Sequence, residues 1–260
     1  MQNLTKTIKI PSNGLFGGAK EITIRALQNK ERKILLEARD FSVFEQLLRS
    51  VTVQPQQFTT ENLHINDIMY VMYELRNLSF GPTYTQKHKC QHCGKEQDVT
   101  INIDEMKPII LSDEDVEKAK EIKVVLPVSQ DTVYLQLIPN GKSKEIERLV
   151  KQKQARENLK SVEGYDYTLR MCEAITKIES KETVDTQLAK VAYLNNMAMK
   201  DLLAIENATA KIIFGLDRKL FIPCSNCVEE MEVYGAIVPE FFRPTDFTIN
   251  WFHRNTWDAW

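Results

Sequence analysis

Four of the chain's five cysteines fall in two pairs of identical spacing, Cys90-Gln91-His92-Cys93 and Cys224-Ser225-Asn226-Cys227. Two thiolates two residues apart can grip one face of a zinc ion when a tight turn aims both sulfurs inward. Two such turns complete a tetrahedral site. Four thiolates leave no open coordination position, so the chemistry on offer is structural rather than catalytic. One zinc ion held by Cys90, Cys93, Cys224 and Cys227 is therefore expected, clasping segments that are 130 residues apart. Redox use of Cys-x-x-Cys belongs at helix N-termini, and neither pair precedes a helical pattern. His92 is read as a turn residue. Cys172, near Leu169 and Ile175 on a helical pattern, is read as a core thiol.

Nothing else in the chain has the spacing of a reaction centre. His64, His88, His92 and His253 form no His-x-x-x-His or Glu-flanked pattern, and there is no Gly-rich phosphate loop or Gly-x-Ser-x-Gly elbow. An enzyme is not expected. The formal net charge of -2 supplies no global attraction to nucleic acid or anionic membrane. A hydrophobic share of 43% at 260 residues is enough for a real core. No apolar run is long enough to span a bilayer, and the start has no signal-peptide pattern. The cysteine usage fits a reducing compartment, where paired thiols hold metal.

The knuckles need elements to aim them, and the flanking patterns read as β-hairpins. Tyr84–Lys89 and Gln97–Ile103 bracket the first pair, and Lys219–Ile222 and Glu232–Ile237 the second. Upstream, Thr5–Ile10 and Glu21–Leu27 alternate as a half-buried hairpin. Helices are expected near Glu31–Ala38, Phe41–Leu48 and Asp67–Leu78, the last capped by Asn66 and stopped at Gly81-Pro82. Residues 105–121 are acidic and read as a solvated linker or exposed helix. Strands resume at Ile122–Leu126 and Thr132–Leu137. Ser143 is expected to cap a long helix reaching Lys160, whose surplus of Lys and Arg reads as a solvated face. Helices at Tyr167–Ile178, Val184–Asn195 and Lys200–Phe214 follow, with Gly215 as the stop.

The fold class expected is α+β, with hairpins and helices in two halves joined at a zinc-ribbon-like site. Ile10-Pro11-Ser12 ahead of Ile22–Leu27 resembles Leu126-Pro127-Val128-Ser129 ahead of Val133–Ile138. Helices and a Cys-x-x-Cys hairpin follow in each half, the order expected of a tandem duplication. The division is residues 1–104, an acidic linker 105–121, residues 122–240, and an aromatic tail 241–260. All three tryptophans lie in the last ten residues. Large aromatics in a Pro-punctuated segment must bury against their own core or a partner, so Trp251, Phe252, Trp257 and Trp260 are candidate anchors.

Ile10-Pro11-Ser12-Asn13-Gly14, then Ile22–Leu27 running into Lys30–Leu36, resembles the N-terminal signature of the baseplate-hub proteins of T-even-type contractile-tailed phages. Gly81-Pro82-Thr83-Tyr84 leading into Cys90-Gln91-His92-Cys93-Gly94-Lys95 is similar to the segment that follows in that family. The resemblance covers about the first 105 residues. It implies a structural tail protein, assembled in the host cytoplasm and resident in the virion baseplate. Its partners would be other hub and tail proteins and the tape-measure protein. It carries over Cys90 and Cys93 as ligands, and Cys224 and Cys227 rest on coordination chemistry. Two alternatives stay open. One is an assembly chaperone absent from the finished particle. The other is a zinc-ribbon nucleic-acid-binding protein, for which Lys87, Lys89, Lys95 and the basic 142–160 stretch would have to share a face.

Overall fold

The computed structural model describes residues 4–36, 42–180, 183–237 and 239–242. Alternation at the start makes β1 (Thr5–Lys9) and β2 (Glu21–Arg25) an antiparallel pair with Ile8 opposite Ile22. Helices α1 (Asn29–Leu36) and α2 (Ser42–Val51) follow, and the chain returns as β3 (Thr52–Gln54) on the far side of β2. Helix α3 (Ile65–Phe80) then packs Ile68, Val71, Met72 and Leu75 under this sheet. Its N-cap is His64 rather than Asn66, with Asp67 completing a reciprocal capping box, and Gly81 closes it at φ 86°. The hairpin β4 (Thr83–Lys89) and β5 (Glu96–Asn102) carries the first cysteine pair.

Strand β6 (Lys107–Ile109) and helix α4 (Asp113–Lys120) occupy the acidic stretch. The second half follows a similar order, with one more helix and one more strand before its cysteine hairpin. Strands β7 (Ile122–Val125) and β8 (Thr132–Leu135) pair, α5 (Asn140–Glu157) and α6 (Glu163–Ala174) follow, and β9 (Ile175–Glu179) returns beside β8. Helices α7 (Gln187–Asn195) and α8 (Met199–Ala210) come next, then β10 (Gly215–Asp217). Strands β11 (Lys219–Pro223) and β12 (Glu230–Tyr234) carry the second pair. Both three-stranded sheets have their third strand antiparallel to the second. In each the register slips between the third and fourth residues of that second strand, at Thr23/Ile24 and at Tyr134/Leu135.

Several boundaries differ from the sequence expectation for physical reasons. Helix α5 starts three residues before Ser143, because Asn140 is held by first-half partners. Its N–H donates to the Leu63 carbonyl (2.7 Å) and its amide to Glu45 (2.7 Å). The α5 helix stops at Asn158, whose left-handed φ of 48° ends it. The helix expected over 167–178 breaks at Ile175, because the open edge of β8 recruits the β-branched run Ile175-Thr176 and Ile178 as a strand. The helix expected over 200–214 ends at Ala210. Phe214 is instead drawn to α3, where its carbonyl accepts from the Asn66 amide and its ring packs 5.1 Å from His64.

The two halves interlock where the buried Glu45 carboxylate receives both Asn140 and Lys144, and β10 pairs with β6 of the segment between them. Separate apolar cores lie under each sheet, and a further one, with Tyr73, Tyr84, Ile101, Met231, Val233 and Phe241, lies beneath the two cysteine hairpins.

Candidate metal centre

Each knuckle is built by the same local bonds. The Cys90 N–H donates to the Lys95 carbonyl, and the Gly94 N–H returns to the Cys90 carbonyl. In the second knuckle the corresponding bonds join Cys224 to Glu229 and Val228 to Cys224. The N–H two residues past the first cysteine points at its sulfur in both, from His92 and from Asn226, at 3.4 Å. The fifth residue of each turn is left-handed, Gly94 at φ 73° and Val228 at φ 66°. Only the first is a residue that adopts this conformation without strain.

The hairpins bring all four sulfurs within 4.8 Å of one another. The first cysteine of each knuckle faces the second of the other, with Sγ–Sγ distances of 3.8 Å for Cys90–Cys227 and 3.7 Å for Cys93–Cys224. Four thiolates about 2.3 Å from one zinc ion stand roughly 3.8 Å apart along the edges of a tetrahedron. A disulfide needs about 2.05 Å, so these are free thiols in a metal-sized cluster. Cys90 and Cys224 are buried, Cys227 is half-buried and Cys93 is exposed.

Electrostatics favours a cation at the centre. The backbone N–H groups of Cys227 and Asn226 pull the Cys224 thiol down to about 6. Cys93 is also lowered, first by the Lys95 backbone. At Cys227 the Glu229 N–H acts downward, but desolvation and the neighbouring sulfurs outweigh it and push the thiol up to about 12. Thiolates this close repel unless positive charge sits between them, and a dication removes that opposition. Cys172 lies apart from the cluster, buried on α6, where burial pushes its thiol up.

Three side chains complete the clasp. Gln97 on β5 accepts through Oε1 from the Ser225 N–H (3.0 Å) and hydroxyl (2.5 Å). Gln86 on β4 receives the Ala236 N–H and donates to the Tyr234 carbonyl, each at 3.0 Å. His92 lies outside the sulfur cluster, with Nε2 3.0 Å from the Glu230 carbonyl. The glutamines were not anticipated. The available signal was period two, since Gln86 shares the inward face of β4 with Tyr84. Trp251, Phe252, Trp257 and Trp260 lie outside the described residues. The start of the aromatic segment is described: Phe241 is fully buried, edge-on to Tyr73 (4.9 Å) and Tyr84 (5.0 Å).

The chain is a mixed helix–strand protein in which two distant segments meet at four clustered thiols that could hold a metal ion. The family model described as T4 bacteriophage base plate protein matches residues 1–243, and the chain belongs to that family, the baseplate proteins of T4-type phages. The match extends well beyond the segment carrying the N-terminal resemblance. No curated protein and no solved structure matches the chain. The family places it in the virion tail, among other baseplate and tail proteins. Among the described residues no helix is long and apolar enough to cross a membrane.

Proposed function

We propose that this chain is a structural, non-enzymatic subunit of the baseplate hub, stapled by one zinc ion on Cys90, Cys93, Cys224 and Cys227. The observation that carries the reading is the cluster of four sulfurs, in a chain of the baseplate family, all within 4.8 Å and with two edges of 3.7 and 3.8 Å that match a zinc tetrathiolate. A closed tetrahedral shell makes the ion a source of folding free energy, since the unfolded chain has no preformed site. Assignment to the hub in particular rests on the N-terminal signature.

In this reading the units are residues 1–104 and 122–240, the segment 105–121 joins them, and the two halves descend from a tandem duplication. The shared strand order, the matching register slips and the paired knuckles support that descent. Residues 241–260 form the aromatic docking tail, with Trp251, Phe252, Trp257 and Trp260 as anchors for other hub and tail proteins, the tape-measure protein among them. The chain would reach the particle from the host cytoplasm.

Quantitative mass spectrometry of gradient-purified particles and detached tails tests this, with metal analysis of the isolated chain. A few copies per tail and one zinc per chain are the expected results. Abundance in lysate with absence from particles would instead identify an assembly chaperone. Steep salt-dependent binding to nucleic acid would favour the zinc-ribbon alternative.

A further inference from the structure

The two cysteine hairpins are built alike but present different outer faces. On β4–β5 the outward side chains are polar throughout, among them Thr85, Lys87, Lys89, Glu96, Asp98 and Thr100. On β11–β12 the outward set includes Phe221 and Tyr234, 60% and 55% exposed. Phe221 stands opposite Glu232 and Tyr234 opposite Lys219, so the two rings lie on a diagonal of one face. Their neighbours fix them. Lys219 Nζ sits 5.1 Å from the Phe221 ring centroid and 2.7 Å from Glu232, and the Tyr234 hydroxyl donates to Glu232 (2.6 Å).

Val228 ends the same hairpin, 76% exposed and held at φ 66°, where the first knuckle has a glycine. A β-branched residue in the left-handed region is strained, and at this exposure it gains little burial in return. With Pro223, also outward on β11, these apolar departures from the polar counterpart lie on one hairpin. Around them the charge is acidic: Glu229, Glu230 and Asp217 are exposed, and none of them forms an ion pair among the described residues.

We propose that the outer face of β11–β12, centred on Phe221 and Tyr234 and reaching Val228, docks a neighbouring baseplate protein. The partner presents an apolar or aromatic side chain flanked by lysine or arginine. The rings supply a pre-fixed apolar centre and the unpaired carboxylates select the basic flank. This inference rests on the structural-subunit reading above.

The test places photo-crosslinking benzoylphenylalanine at Phe221 or Tyr234, and at Thr85 or Thr100 as controls, in full-length chain incorporated during infection. Presence in particles is established before irradiation, so absence there overturns the subunit reading itself. With the chain present, crosslinks from 221 and 234 should reach another baseplate protein beside lysine or arginine, with none from 85 and 100. No crosslink at 221 and 234, attachment to an acidic peptide, or attachment only to this chain's residues 243–260 or to a second copy overturns the docking surface. A Phe221→Ser/Tyr234→Ser variant should keep its melting temperature and zinc content yet enter particles at least tenfold less. Undiminished entry overturns the proposal equally.

Discussion

Asp67 and Asp201 do the same work in the two halves. Each is the third residue of its helix, each is buried, and each accepts N–H groups from the turn that follows a strand and a proline. Asp67 takes the Ser12 N–H at 2.8 Å, and Asp201 takes those of Val128 (2.7 Å) and Ser129 (3.0 Å). The residue before each proline, Ile10 or Leu126, is fully buried. Replacing Asp67 with alanine strands the buried Ser12 donor, and replacing Asp201 strands two part-buried donors. Asp67→Ala and Asp201→Ala should each cost about 2–3 kcal/mol in urea unfolding, and a loss at only one site would break the equivalence.

Val228 and Gly94 make a reciprocal pair of substitutions. Val228→Gly relieves a left-handed β-branched residue and should raise stability by about 1 kcal/mol, while Gly94→Val should lower it by about 1–2 kcal/mol. Thermal melting of zinc-saturated protein reads both. The stabilised Val228→Gly chain should still enter particles less well than the parent, which separates strain kept for contact from strain without use.

Removing the metal should act on the whole fold. Chelation, or Cys224→Ser, is expected to lower the melting temperature by more than ~10 °C and to abolish one-to-one zinc content. Cys172→Ser, at a thiol outside the cluster, should leave zinc content intact. A Cys224→Ser protein with full zinc and unchanged melting would remove the staple.

Two groups set successive pH windows, and both lose stability as the pH falls. Burial between Phe16 and Phe214 lowers His64 to about 4, below its ordinary 6.5. The folded state resists charging it, so its stability contribution is complete above pH 6.5 and is lost as the pH falls towards 4. The amount is about 3 kcal/mol. His64→Asn keeps a capping acceptor and should flatten the stability curve across that window.

Glu31 acts at lower pH. Burial alone would raise it, but the Arg25 guanidinium, the Ser50 hydroxyl and the Gln28 N–H hold it down to about 2. Its contribution, again about 3 kcal/mol, is present above pH 4.5 and disappears as the pH falls towards 2. Glu31→Gln should lower stability near neutrality and lose less on acidification. Differences between variant and parent remove the part due to thiolate protonation.

The sulfur cluster was legible in the sequence because four cysteines at one spacing leave few other uses. The hairpins around it were legible because alternation is a local signal. What sequence reading missed was set by distant partners. Ile175–Glu179 carries a helical continuation from α6, yet becomes a strand because β8 offers an edge. Thr52–Gln54 is too short to register, but β2 offers it the equivalent edge. Asn140 starts α5 early because Glu45 and Leu63, far back in the chain, hold it. Gln86 and Gln97 are ordinary polar residues until a second hairpin lies against them.

The long separation of the knuckles also sets a timetable. Cys93 and Cys224 are 131 residues apart, so at ~5–20 residues per second the ribosome needs roughly 7 to 26 s to deliver the second pair after the first. During that interval β1, β2 and α3 can pack on their own core, while the first hairpin lacks the Met231, Val233 and Phe241 that share its core and two thiols wait without their partners. Capture of a metal ion by all four thiols would therefore wait until the second knuckle has been made. A nascent chain truncated before Cys224 would carry the first sheet and two thiols without their partners.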